Sequence, residues 1–379
     1  ITRTYHESAL VPWPKAKVRF AITVRRGAEP SVTLIETEID PESVTINREA
    51  LSPDVIVFPL HEGGDPHACV DVAIAAEGYT TADRQKLTAD LDRYAKLLLS
   101  HEPFASLKSR FNLRGVWRPS PESGCDEPSR GVWKSTALGT SFDALGSERY
   151  LLTEDNRALR DVAAHVPYDA LYVMVNHPRY GGGGIYNWCC TFTTDNQWSP
   201  YIFLHEFGHS FAALADEYYT SSVAYSDFYP KGVEPTEPNV TALLDPKALK
   251  WKDLVTPGTA LPTPWEKEGY DERDRAYQKI REALNREIAE KMRAGAPAAE
   301  VDALKARSET LSRDHSKQMD AYLESSAFRT TLGAFEGAGY ASKGLYRPAL
   351  DCIMFSKGEK PFCADCDRAL RQVVERHGE

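Results

Sequence analysis

His205-Glu206-Phe207-Gly208-His209, with Phe203 before it and Phe211 after it, decides how the rest of this chain is read. As a helix it stacks His205 and His209 on one face, about 6 Å apart at Cβ, so two imidazoles can grip one metal ion. Glu206 adjoins the first of them, where its carboxylate can reach a water at the metal instead of the metal itself. An imidazole pair with an open coordination position lowers the pKa of that water towards about 7. The carboxylate then takes the water's proton as it attacks a polarised carbonyl. The chemistry implied is amide hydrolysis at one catalytic Zn2+. A polar helix with two satisfied histidines is the plainer alternative, and the flanking residues oppose it. Phe203, Phe207, Phe211 and Leu214 follow helical spacing and give a buried side. The histidines fall roughly 200° round from it.

Two histidines leave a catalytic zinc site short of a protein ligand. Asp216 is the nearest candidate. In an unbroken helix it would lie two turns past His209, about 10 Å along the axis, too far to share the ion. The helix must therefore end between Phe211 and Ala215, although Ala212 and Ala213 stand where glycine would make the reversal easy. A distant Glu324 or Glu336 is the other source of a third ligand. Glu217 is expected to lie behind the ligands or at the surface. Far downstream, Asp351-Cys352-Ile353-Met354-Phe355 places one of only four methionines where a tight turn could floor a metal site.

Taken together, the run His205–Phe211 and Leu214-Ala215-Asp216-Glu217-Tyr218 resembles the IgA-peptidase family of bacterial zinc metallopeptidases. Ala76-Glu77-Gly78-Tyr79-Thr80, Glu122-Ser123-Gly124, Ala338-Gly339-Tyr340 and Tyr346-Arg347-Pro348 are similar to its landmarks. So are Cys352-Ile353-Met354, Phe362-Cys363 and Cys366. The likeness runs from about residue 70 to 375. It implies a metzincin-like zincin fold, zinc ligands at His205, His209 and Asp216, catalytic Glu206, and Met354 in the turn beneath the metal. It also implies an exported bacterial protein, and hence a leader absent from this sequence. The chain departs from the family at Ala212 and Ala213 and at Glu77 where Asp is usual, and it places Asp216 eleven residues after His205 where most metzincins place the third ligand ten after.

The 379 residues can bury a sizeable core across two or three domains. A net charge of −10 opposes a nucleic-acid binder, which would present a basic face. No apolar run approaches a membrane span. Seven cysteines include Cys363-x-x-Cys366, half of a structural zinc pattern. With Cys352 nearby, a local disulfide is the favoured reading over a second metal, since exported proteins keep disulfides. Cys189 or Cys190 could pair with Cys125.

The pattern predicts an α/β (α+β) catalytic domain over 69–379 behind an N-terminal β-sandwich over 1–68. Alternation at Val18, Phe20, Ile22 and Val24, then Val32–Leu34 and Val55–Phe58, supplies the sandwich strands. Strands over 71–76, 112–117 and 170–175 alternate with helices around Leu87–Leu98 and Ala158–Val162. Gly181–Gly184 lacks the Lys-Ser/Thr of a phosphate loop and reads as a mobile rim; Ile185–Phe192 reads as an edge strand for an extended peptide. Residues 222–262 should wrap the surface. Apolar positions from Tyr277 to Met292 and from Val301 to Tyr322 predict a helical hairpin, an antiparallel coiled coil inserted at about 266–326, with Gly-Ala-Pro at its tip. It is either a solvated protrusion or a docking arm. The function implied is a secreted zinc endopeptidase acting on protein or glycoprotein. The rivals are a zinc hydrolase of non-peptide amides and an adhesion module with a structural metal.

Overall fold

The computed structural model describes residues 11, 14–25, 29–46, 48, 50–220 and 229–377. The expected surface wrap over 222–262 therefore lies partly outside the described residues. The chain divides into two compact units, Ile1–Pro53 and Asp54–Glu379.

In the first unit, β1 (Val18–Val24) pairs antiparallel with β2 (Val32–Ile39). The alternation at Val18–Val24 does form a strand, and among the described residues of this unit β1 and β2 make a two-stranded sheet. Val32, Leu34 and Ile35 stay more than half exposed. Where a sandwich over 1–68 was expected, the described residues of this unit show a two-stranded ribbon. The missing partner is the segment 55–58, which joins the other unit.

That segment lies in β3 (Ile56–His61), the edge of a six-stranded sheet. The sheet also holds β4 (Val70–Glu77), β5 (Phe111–Trp117), β8 (Ala170–Val175), β9 (Gly182–Ile185) and β10 (Cys189–Thr193). A two-residue ladder, β6 (Thr140–Ser141) with β7 (Leu152–Thr153), lies outside it. The order is β3-β5-β4-β8-β10-β9, parallel inside, with antiparallel β3 and β9 at the two edges. Helices cover both faces, so β4 and β8 are buried on both sides and read as continuous apolar runs.

One face carries α2 (Asn156–Ala163), whose Leu159 and Val162 pack on Ala73, Ala75 and Val173. The other carries α1 (Arg84–Ser100), α3 (Ser199–Ala212) and α6 (Ala364–Arg376), packed on Val72, Ile74 and Tyr172. Between α3 and α6 the chain forms α4 (Lys267–Arg293), α5 (Ala298–Glu324) and the hairpin β11 (Leu332–Ala338) with β12 (Ala341–Ala349). The layers make an α/β fold.

Helices α4 and α5 turn about Gly295 (φ 68°) and bury Leu284, Ile288, Val301 and Met319. They do not stand clear of the body. Asp271 at the root accepts from the Tyr219 hydroxyl at 2.6 Å, and Ser312 accepts from Trp198 Nε1 at 3.1 Å. Asn285 Nδ2 donates to Glu148 at 2.9 Å, and Arg293 near the tip reaches the Ser129 carbonyl.

Candidate metal centre

Helix α3 is apolar almost all round, as a core helix must be. Phe203 and Phe207 stack on Tyr172 of β8, with ring centroids 4.5 and 5.0 Å away, and Phe207 stacks on Phe211 at 4.9 Å. This aromatic spine fixes the rotation of the helix, leaving Glu206 and His209 half-buried on the opposite side.

The helix stops as its sequence requires, without a glycine. Ala213 takes the left-handed conformation (φ 53°, ψ 32°), and the N–H groups of Ala213 and Leu214 turn back onto the His209 and Gly208 carbonyls, each at 3.1 Å. An L-residue in that region stores about 1–2 kcal/mol. The reversed strand is pinned by buried Asn239, which brackets Ala215 at 2.7 and 2.9 Å and reaches Glu217 Oε1 at 3.0 Å. Asp216 is thereby carried back over the helix. Its Oδ1 lies 2.9 Å from His205 Nε2 and 3.2 Å from His209 Nε2, and the two Nε2 atoms are 3.1 Å apart. Glu324 is exposed and Glu336 accepts from Gly344 N at 3.2 Å within its own hairpin; neither lines the cleft.

The chemistry of this triangle fits a cation. His205 Nδ1 meets the Ile353 carbonyl at 3.0 Å and His209 Nδ1 the Leu214 carbonyl at 2.5 Å. A carbonyl only accepts, so both Nδ1 atoms carry hydrogen and each ring turns its Nε2 inward, towards Asp216 Oδ1. Two imidazole nitrogens and a carboxylate oxygen converge there, a donor set suited to a cation held between them. Ligands about 2.0–2.1 Å from a tetrahedral zinc sit roughly 3.3 Å apart. The observed edges are within a few tenths of an ångström of that.

Electrostatics agree. Burial alone would raise the Asp216 carboxyl, but the His209 charge and hydrogen bonds from both imidazoles hold it well below the usual carboxylate range. Burial opposes charge on His209 too, yet Asp216 overrides it and lifts that imidazole to about 9. The pair thus favours positive charge between its two members. Burial raises the Glu206 carboxyl above its ordinary value, against the pull of His205 and His209. Its Oε2 is 4.0 Å from His209 Nε2, beside the triangle instead of in it.

Met354 is fully buried beneath the helix: a Cβ on Gly208 would sit 3.0 Å from its Sδ. Its carbonyl accepts from Glu217 N at 2.9 Å, tying this turn to the strand of Asp216. Above the helix, edge strand β9 lies so close that only glycine fits. A Cβ on Gly182 would meet Ile202 Cγ2 at 2.5 Å, and one on Gly184 the Glu206 carbonyl oxygen at 2.5 Å. The glycine run expected to be a mobile rim is the edge strand itself, and Ile185–Phe192 is instead the turn and the next strand inward. The cleft between these walls has a volume of about 540 Å³.

Residues left out of the sequence-derived site also converge here. Tyr340 sits at a positive φ of 65° in the β11–β12 turn and donates its hydroxyl to Asp216 Oδ2, while Gly339 N and Tyr340 N bond the Asp216 and Tyr218 carbonyls at 2.9 and 3.1 Å. Arg149 Nη2 donates to the Tyr218 hydroxyl at 3.0 Å, and both line the cleft. Ala338-Gly339-Tyr340 was visible as a motif; nothing local marked Arg149. Arg347 is fully buried and donates to the Gly337 and Leu350 carbonyls at 2.7 and 3.1 Å, which makes it structural.

No curated protein was found to match the chain. The family model described as IgA Peptidase M64 matches residues 58–374, which takes in the sheet, the histidine helix, Asp216 and the Met354 turn. The chain belongs to the IgA peptidase M64 family of zinc metallopeptidases, and it is a peptidase.

Proposed function

We propose that this protein is an exported zinc endopeptidase with a zincin-like catalytic unit, cutting protein or glycoprotein chains laid in extended form along β9. The observation that carries the reading is the convergence of His205 Nε2, His209 Nε2 and Asp216 Oδ1 within 3.2 Å of one another beside Glu206. His205, His209 and Asp216 would hold the ion. Zinc bound there polarises the scissile carbonyl and makes a water acidic near neutral pH.

The remaining work falls to the chain's own groups. Glu206 takes the proton of the attacking water on its carboxylate and returns it to the departing amide nitrogen. The Ile353 and Leu214 carbonyls fix the imidazole tautomers, and Tyr340 fixes the rotation of Asp216. Arg149 and Tyr218 are the cationic and hydroxyl groups available to negative charge developing on the carbonyl oxygen. Strand β9 ends the sheet order, and the backbone beyond Gly182, towards exposed Tyr186, offers the edge for main-chain pairing with substrate.

The test is Glu206→Gln. Metal content and unfolding midpoint should match wild type, while kcat on a protein substrate falls by about 10²–10⁴, the range for a general base. Undiminished turnover would refute the mechanism.

A further inference from the structure

A second group of metal-type side chains lies behind the first. Glu217, Cys352, Cys363 and Cys366 place their ligand atoms within 4.8 Å of one another, and all are buried or nearly so. We propose that these four residues, brought together by the strand after α3, the Met354 turn and the first turn of α6, hold a second, structural zinc ion in a closed three-sulfur, one-oxygen set.

The spacing is that of ligands sharing an ion. Cys352 Sγ and Cys366 Sγ are 3.9 Å apart, and Cys366 Sγ is 3.4 Å from Glu217 Oε1. Tetrahedral zinc with sulfur at about 2.3 Å and oxygen at about 2.0 Å predicts roughly 3.8 and 3.5 Å for these edges. A disulfide requires about 2.05 Å between sulfurs. None is formed by any of the seven cysteines, so the local bridge expected from sequence is not what the fold builds.

Three further observations point to a cation. Glu217 is fully buried, and its Oε2 has no hydrogen-bond partner. Its other oxygen, Oε1, lies 3.4 Å from Cys366 Sγ, and a buried carboxylate with an orphaned oxygen is unfavourable unless something positive lies beside it. Next, Cys352 Sγ accepts two backbone N–H groups, from Met354 at 3.5 Å and Cys363 at 3.3 Å, contacts that favour a thiolate over a thiol. Finally, Cys363 caps α6 and Cys366 lies in its first turn, where the helix N-terminus favours negative sulfur. Soft thiolates with one carboxylate select zinc over magnesium or calcium. Four protein ligands and no exposed face make the site structural.

Its position gives it a task. Glu217 follows Asp216, and Cys352 precedes Ile353, whose carbonyl orients His205. One ion would lock these two segments and α6 into a single unit beneath the histidine cluster.

The full chain, purified without chelator, is measured for zinc alongside His209→Ala and Cys366→Ser. Two ions per chain in wild type and one in each variant are expected. Cobalt-substituted wild type and His209→Ala should both show a near-ultraviolet sulfur-to-cobalt charge-transfer band, absent from Cys366→Ser. Should Cys366→Ser fail to fold, wild type decides alone: the band appears, and denatured, unreduced protein titrates for all seven thiols. Two fewer thiols would reveal a disulfide and overturn the proposal, as would cobalt-loaded protein without the band. Metal lost in Cys366→Ser but kept in His209→Ala would leave this site standing and instead remove the catalytic assignment.

Discussion

Gly184→Ala tests how the cleft is built. The added Cβ would stand 2.5 Å from the Glu206 carbonyl oxygen and 2.7 Å from His209 Cβ, about 0.9 Å inside the 3.4 Å at which ordinary contact begins. Neither neighbour is the yielding tip of a long side chain: one is helix backbone and the other the Cβ of His209. Strand β9 or helix α3 must therefore shift by most of an ångström. Overpacking of this kind costs about 1–3 kcal/mol of stability. A misplacement near 1 Å between substrate strand and catalytic groups lowers kcat/KM by about 10²-fold. Gly183→Ala is the control, because its one tight contact is with Leu152 Cδ2, a side-chain end, at 3.0 Å, and the nearest backbone atom, Leu151 O, is at an ordinary 3.5 Å. Urea unfolding and peptide hydrolysis of both variants at equal zinc loading make the comparison. If Gly184→Ala proves as stable and active as Gly183→Ala, the close approach of β9 has no functional weight and the reasoning fails.

Ala213→Gly relieves a left-handed alanine at the end of α3 (φ 53°), so thermal unfolding should show a gain of about 1 kcal/mol; a lower Tm would show the turn is not strained. Tyr340→Phe removes the hydroxyl that holds Asp216 Oδ2, and chelator competition should find metal affinity down about 10–100-fold. Equal affinity would release Tyr340 from that role. Glu127 supplies a pH dependence. Burial opposes its charge, but His177 at 3.3 Å, Arg130 at 2.9 Å and Arg179 at 3.0 Å win and lower its carboxyl to about 2. A depressed acid stabilises the fold above its ordinary value near 4.5, and that contribution, about 3 kcal/mol, is lost as pH falls towards 2. Glu127→Gln should therefore be less stable at pH 7 and show a flatter acid limb, while parallel limbs would exclude the cluster as its source.

What could be read from sequence was what depends on near neighbours. Ala170–Val175 and the phenylalanine-backed histidine helix announce themselves through period and apolarity alone. Asp216 was inferable because reach along a helix is fixed, so the reversal at Ala213 had to exist. Pairing is another matter. Ile56–Val57 reads as a strand, but nothing in it says that Trp117 and Val116 are its partners, and so it was assigned to the wrong sheet. Gly182 and Gly184 show a different ambiguity: glycine marks freedom or close approach, and only Ile202 and the Glu206 carbonyl decide which. Arg149 and Tyr340 reach the cleft through long-range folding, as Asn239 reaches Ala215 and Glu217 its sulfurs.

The α4–α5 arm bears on how such a site can assemble at all. It separates Asp216 from Met354 in the chain, yet its two ends meet: the Glu266 carbonyl accepts from the Tyr322 hydroxyl at 2.8 Å, and its carboxylate from Ser326 at 2.7 Å. Once the arm zips shut from its local contacts, its roughly 58 residues vanish from the ring that must close. The entropy difference between the long ring and the shortened one is only about 0.5 kcal/mol. Evolution can therefore lengthen the polypeptide at this point almost without penalty to the closure of the histidine cluster, which makes the segment a natural place for variation in size among relatives.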